Sequence, residues 1–134
     1  MAFIGQTIAP ISTPDIVAKD IPCDASIAVG DWVRIDATST AVKALADTAD
    51  NAHVMGIVEE KATSTLCYIR LAGISKVVFA GLDPTKEYFL SPTTAGSMTT
   101  TVPVGAGEIL LRVGKAVDST RIVVAIGTRI GRAL

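Results

Sequence analysis

Apolar residues along this chain come in short bursts separated by Gly, Pro, Asp, Ser and Thr, and they seldom recur at helical spacing. Trp32-Val33-Arg34-Ile35-Asp36 alternates apolar and polar positions behind a Gly30-Asp31 turn, the period-two pattern of a half-buried strand. Comparable bursts at 16–21, 41–46, 53–60, 65–71, 76–80, 87–90, 97–101, 108–117 and 121–126 predict further strands. The first ends at Pro22. The pair 53–60 and 65–71 forms a plausible hairpin around a polar loop at 61–64, and the tight turn Asp118-Ser119-Thr120 joins the last pair. One stretch, 41–52, tolerates helix through its alanines. Its tail, Asp47-Thr48-Ala49-Asp50-Asn51, reads as a single helical turn or an exposed loop. Roughly ten short strands about 8–12 residues apart are the pattern of a sandwich or barrel.

The bursts also repeat. One copy runs from Val29-Gly30-Asp31-Trp32 to Tyr68-Ile69-Arg70-Leu71-Ala72-Gly73, the other from Leu82-Asp83-Pro84 through Glu87-Tyr88-Phe89-Leu90 to Ile126-Gly127. Each copy has a strand opening with an aromatic, a small or Thr-rich strand, a strand centred on glycine (Gly56, Gly114), and an apolar strand ending in glycine. A glycine inside a strand marks a bulge or bend that lets a small sheet curl. Two such units closing on each other predict an all-β fold: a compact β-barrel or sandwich with pseudo-duplicated halves. Chance resemblance between two meanders is the alternative.

Residues 1–14 predict an extended N-terminal arm before a β-domain at 15–134. Pro10 and Pro14 fix φ and remove donors, so this segment cannot lie mid-sheet. Its apolar residues Phe3, Ile4, Ile8 and Ile11 need cover, from the body or from a neighbouring subunit; the second choice makes them candidate partner-binding residues.

The composition narrows the chemistry. At 134 residues the chain fits one domain. Hydrophobic residues make up 49% but aromatics only 4%, which suits thin, tightly packed sheets better than a ring-lined ligand cavity. A net charge of -1 gives no overall footprint for nucleic acid, leaving only the C-terminal arginines Arg112, Arg121, Arg129 and Arg132 as a local patch. The N-terminus lacks the basic and apolar regions of a signal peptide, and no apolar run approaches the ~18 residues of a membrane span. We therefore expect no membrane partner. Cys23 and Cys67 form no C-x-x-C motif and read as buried reduced thiols, with a disulfide left open by spacing alone.

No catalytic constellation emerges. His53, the single histidine, heads a strand pattern and reads as a surface residue rather than a base. Glu59 and Glu60 are adjacent, so they point to opposite faces of a strand, and with Lys61 they resemble a solvated turn. Asp47 and Asp50 match no calcium loop. Gly105-Ala106-Gly107 precedes a strand and lacks the Lys-Ser/Thr of a phosphate loop. No catalytic residue, metal site or cofactor is expected, and the chain is read as a non-enzyme. Trp32 is a core plug or an interface anchor, its alternation with Val33 and Ile35 favouring the core; Tyr68 and Tyr88 are the other candidate interface aromatics.

The segments Gly81-Leu82-Asp83-Pro84-Thr85-Lys86-Glu87-Tyr88-Phe89-Leu90-Ser91-Pro92, Ala95-Gly96-Ser97-Met98-Thr99-Thr100-Thr101 and Val113-Gly114-Lys115-Ala116-Val117, with Ile126-Gly127, carry a resemblance. So do Gly30-Asp31-Trp32-Val33-Arg34-Ile35 and Val54-Met55-Gly56-Ile57-Val58. Over about residues 28–128 the chain resembles virion β-domain proteins of tailed bacteriophages, most of all head decoration, or cement, proteins. That resemblance implies a structural protein on the capsid surface of the virion, made in the host cytoplasm and bound as a homotrimer to the major capsid protein. A tail-fibre or head-fibre receptor-binding module, and a tail or connector subunit, are the alternatives it leaves.

Overall fold

The computed structural model describes residues 15–131. Its regular elements are all strands: β1 (Ile16–Pro22), β2 (Trp32–Ile35), β3 (Ala41–Lys43), β4 (Gly56–Thr63), β5 (Leu66–Ile74), β6 (Glu87–Leu90), β7 (Met98–Thr99), β8 (Ile109–Leu110), β9 (Arg112–Ala116), β10 (Ile122–Val124) and β11 (Ile130–Gly131). The main sheet runs β3-β2-β4-β5-β10-β9-β6-β7, with β1 on β5, while β8 and β11 pair separately. The expected all-β architecture is thus present. Phe3, Ile4, Ile8 and Ile11 lie outside the described residues.

The strand order reads the same from both ends when β2, β3, β4 and β5 are exchanged for β6, β7, β9 and β10. This is the duplication that the sequence repeat predicts. The two meanders meet where Gly73 pairs with Val124 and Ile74 with Val123. The repeat's aromatics are not equivalent, however: Trp32 sits opposite Ile57, while Tyr88 sits opposite Gly114 itself.

The central glycines occupy matching places for a matching reason. A Cβ on Gly56 would lie 2.1 Å from the Arg70 carbonyl oxygen, and one on Gly114 would lie 2.1 Å from that of Val123. The neighbouring strand crosses each glycine too closely for any side chain. The terminal glycines differ, since Gly73 has φ 97° and needs glycine's freedom, whereas a Cβ at Gly127 would meet Arg112 oxygen at an ordinary 3.6 Å.

The two halves use their outer faces differently. Both contribute to one large core built on Trp32, Ile57, Leu90, Leu111, Val113, Ile122 and Val124. The first half has a second core on its other face: Cys23, Ile27, Val33, Ala41, Val58, Cys67 and Ile69. Consecutive residues such as Trp32 and Val33, or Ile57 and Val58, are therefore fully buried on opposite sides of one strand. The cover is β1 and the segment after it. Beyond Pro22, Cys23 bridges Ala41 of β3 in parallel, so β1, β5, β4, β2 and β3 close into a ring. Lys61 fastens that segment by donating its Nζ–H to the Ile27 carbonyl at 2.7 Å. The second half instead leaves Glu87, Arg112 and Lys115 in solvent on its outer face.

Several local expectations are corrected. Residues 76–80 form no strand, because the amides of Val78 and Phe79 bond the Thr120 carbonyl in a turn (3.3 and 3.2 Å) rather than a neighbouring ladder. The 53–60 strand begins only at Gly56, and its hairpin turns within Ser64-Thr65, Lys61 to Thr63 being paired in β4. Residues 108–117 split into β8 and β9. The alanine-rich stretch holds no helix; Ala44, Ala46 and Ala52 are core residues around one turn closed by Ala52 N–H to Thr48 O at 3.0 Å.

The glycine contacts predict unequal tolerance. Gly56→Ala and Gly114→Ala should each destabilise the protein by about 3 kcal/mol, while Gly127→Ala stays within about 0.5 kcal/mol. Urea unfolding of the three variants checks this, and equal losses at all three positions would contradict the close-crossing account.

Candidate functional site

The most unusual polar grouping lies beside Asp15, just ahead of β1. β4 carries a bulge: Val58 pairs with Ile69 and Glu60 with Tyr68, leaving Glu59 as the extra residue. The bulge turns Glu59 inward, so its side chain is only 1% exposed. There its Oε2 accepts from Arg70 Nε at 2.5 Å and from the Lys76 backbone N–H at 2.8 Å. Arg70 extends the chain of charges by donating Nη1–H to the Asp15 carboxylate and, at 3.4 Å, to the Ala72 carbonyl. Burial alone would lower the Arg70 guanidinium, but the bond and charge of Glu59, with those of Asp15, hold it above its usual value. The solvated turn expected at 59–61 is not there, since all three residues lie in β4. Glu60 is exposed and pairs with Lys76 at 2.8 Å, while Glu59 anchors a buried ion network.

This network ties Asp15, the first described residue, to β4 and β5. Because β1 runs antiparallel to β5 with Ile16 beside Ala72, its start points toward the end of β5. Exposed apolar side chains gather along that stretch of chain: Ile16 (44%), Ile74 (46%) and Val77 (68%). Just beyond, a shallow groove of about 380 Å³ is lined by Val29, Val78, Phe79, Leu82, Tyr88 and Met98, among others.

The candidate interface aromatics are placed unequally. Trp32 is fully buried and Tyr88 nearly so, its hydroxyl accepting the Asp83 backbone N–H at 2.9 Å. Core packing leaves Trp32 no surface, while Tyr88 keeps a 7% exposed edge in the wall of the groove. Tyr68 is half-buried, with the Lys19 ammonium 6.0 Å from its ring centroid. The structure brings none of the three together into a platform.

Other candidates resolve into structural roles. His53 is exposed in a turn before β4 and lines two clefts whose walls include no carboxylate. In the Gly105-Ala106-Gly107 loop the Gly105 N–H is taken by Glu108 Oε1 at 2.8 Å, which places an anion where a phosphate would have to sit. Arg112 pairs with Glu87 at 2.7 Å, Arg121 with Asp118 at 2.7 Å, and Arg129 donates to the Ala49 carbonyl at 2.6 Å. Arg132 lies outside the described residues. Among the described residues no group of three His, Cys, Asp or Glu is arranged to hold a metal ion.

Sequence reading missed one recurrent device, whose signal is Asp-x-Ser/Thr. At Asp24, Asp36, Asp83 and Asp118 one carboxylate oxygen accepts both the backbone N–H and the hydroxyl of the residue two places on, at 2.6 to 3.0 Å. Each bond pair closes an Asx turn. All four carboxyls are held below their usual range: by the backbone N–H first at Asp24 and Asp118, and by the threonine hydroxyl first at Asp36 and Asp83. Asp118 is furthest depressed, because the Arg121 guanidinium also grips its second oxygen at 2.9 and 2.7 Å.

No family model, no curated protein and no solved structure matches the chain.

Two outcomes follow. Arg70→Leu strands the Glu59 carboxylate in the interior and should cost about 3–5 kcal/mol, whereas the double change Glu59→Leu/Arg70→Leu should recover most of it; chemical denaturation of both decides. The Asx turns set an acid limit. A depressed carboxyl contributes fully above its unfolded value near ~3.9 and loses that contribution as pH falls through its folded value. The difference in melting temperature between wild type and Asp118→Asn should therefore narrow as pH falls from 7 toward 2, and a gap independent of pH would contradict this role.

Proposed function

We propose that this is a structural assembly protein that binds the outside of an assembled phage capsid and stabilises it, as a decoration or cement protein does. The observation carrying this reading is the anchored start of β1: the buried Glu59–Arg70 pair holds exposed Asp15, the residue next to the expected arm, near exposed Ile16, Ile74 and Val77. Rigid anchoring of a root is useful when the segment beyond it must reach a defined place on a neighbour. Fourteen residues span at most ~50 Å when extended, enough to cross onto an adjacent subunit. The resemblance to phage virion β-domains supplies the partner, the major capsid protein, and the homotrimeric state.

The energetics are those of linkage. A protein that binds only the assembled lattice stabilises it by about 2.7 kcal/mol at a hundredfold excess over Kd. Three linked copies add avidity without new contacts. Strand addition onto the body's own edges is disfavoured. β1 is interrupted by register shifts, with Asp20 at φ 55° and Pro22 at its end, β3 is capped by Cys23, and β7 is two residues long. Contacts in this reading therefore come from the arm and from the apolar side chains around its root. The receptor-binding alternative draws little support, since of its two platform residues Tyr88 is nearly buried and Tyr68 half-buried.

Removal of residues 1–14 should leave the fold intact by circular dichroism but weaken co-sedimentation with capsids at least tenfold. Undiminished attachment of the truncated, folded protein would overturn the arm-mediated reading.

A further inference from the structure

Two thiols lie close together where the end of β1 runs along β5. Cys23 follows β1 directly, and Cys67 lies on β5 opposite Ile21. The next pair is Pro22 with Leu66, and beyond it the Cys23 N–H bonds the Thr65 carbonyl at 2.9 Å. Cys23 and Cys67 are thus diagonal neighbours on one face of the β1–β5 ladder, and that face is the interior of the second core. Both are free thiols in the structure, and both are buried. The Cys67 thiol donates to the Ile21 carbonyl oxygen at 3.6 Å.

We propose that Cys23 and Cys67 form a latent staple, a disulfide that closes when β1 loosens from β5 and then locks β1 onto β5. Three features support it. The thiols are diagonal neighbours in one core, so closure asks β1 to shift along a single ladder. β1 supplies the slack: it pairs with β5 alone, its register breaks between Ala18 and Ile21, and Asp20 sits at φ 55°, strained for a residue with a side chain. Finally, the closed fold resists the reaction. Both thiols are buried away from an oxidant, and burial, with the neighbouring Cys23, pushes the Cys67 thiol up to about 12, so the thiolate of the second, closing attack is scarce at neutral pH.

The chemistry takes an organic disulfide such as oxidised glutathione as oxidant. When β1 lifts, Cys23 at the strand end emerges first. Its thiolate attacks one sulfur of the oxidant, forming a mixed disulfide and expelling one glutathione thiolate. As the strand returns, the Cys67 thiol gives up its proton and attacks the Cys23 sulfur, expelling the second glutathione. The protein loses two hydrogens, and the oxidant becomes two thiols. The bond ties the end of β1 to β5 and closes a covalent loop that contains β2, β3 and β4. The staple is independent of what the body docks on.

The full reduced chain, incubated with oxidised glutathione at neutral pH, tests this by intact mass and peptide mapping. Without denaturant it should stay reduced at least tenfold longer than in urea just below the unfolding midpoint. In urea it should yield a species two hydrogens lighter, with Cys23 and Cys67 peptides joined. That species should melt roughly 10 °C higher than the reduced protein. Cys67→Ser should stop at the glutathione adduct on Cys23. Persistent adducts on wild type without closure, equal reactivity with and without urea, or a cross-linked product no more stable than the reduced one would each overturn the proposal.

Discussion

Everything in this molecule depends on a short ladder, the pairing of Gly73 with Val124 and Ile74 with Val123. Without it the chain would be two meanders of four strands, each with an apolar face and nothing to place against it. Joined there, the halves form one continuous curled sheet, and their inner faces make a single core around Trp32, Leu90, Leu111 and Ile122. The join needs Gly73 at φ 97°, a conformation that would strain any other residue. Close strand crossings at Gly56 and Gly114 then let each half curl over that core.

Duplication does not make the halves equal. The first half has an apolar outer face, which requires a lid, and β1 with the Cys23–Ile27 segment provides one. The second has charged residues on its outer face and needs none. This difference concentrates the distinctive features in the first half: the closed ring, the neighbouring thiols, the bulged β4 and the buried ion pair. Glu59 and Arg70 illustrate the physical tension. A carboxylate 1% exposed is costly unless a cation and hydrogen-bond donors meet it, and Arg70 and the Lys76 amide do so. The network fixes the start of the body, and that fixed point, beside an apolar surface, is what favours reading the chain as an assembly protein.

Much of the architecture was legible in the residues. Alternation at Trp32 to Ile35, the strand at 87–90, the Asp118 turn and the glycine-centred repeat all express local rules: side chains alternate along a strand, and glycine or aspartate permits a turn. The Asp-x-Ser/Thr turns were equally readable, because their hydrogen bonds span only two residues. Less legible was the segment 76–80, which has a strand's composition but finds its partner in the turn at 118–120 rather than in a strand.

What local sequence could not supply was anything decided by which strand lies beside which. Adjacent acidic residues at 59 and 60 look like a solvated turn until a bulge across from Ile69 and Tyr68 rotates one of them inside. An aromatic at the head of a strand reads as core or interface alike until the opposing sheet covers it, as it does Trp32 and Tyr88. Two cysteines remote in sequence become neighbours only because β1 folds back along β5. By itself the chain determined its strands, turns and repeat, since those are set by steric preferences within a few residues. Tertiary structure alone decided ring closure, the buried charges and the thiol pair, since burial and contact depend on long-range pairing that no short window of sequence contains.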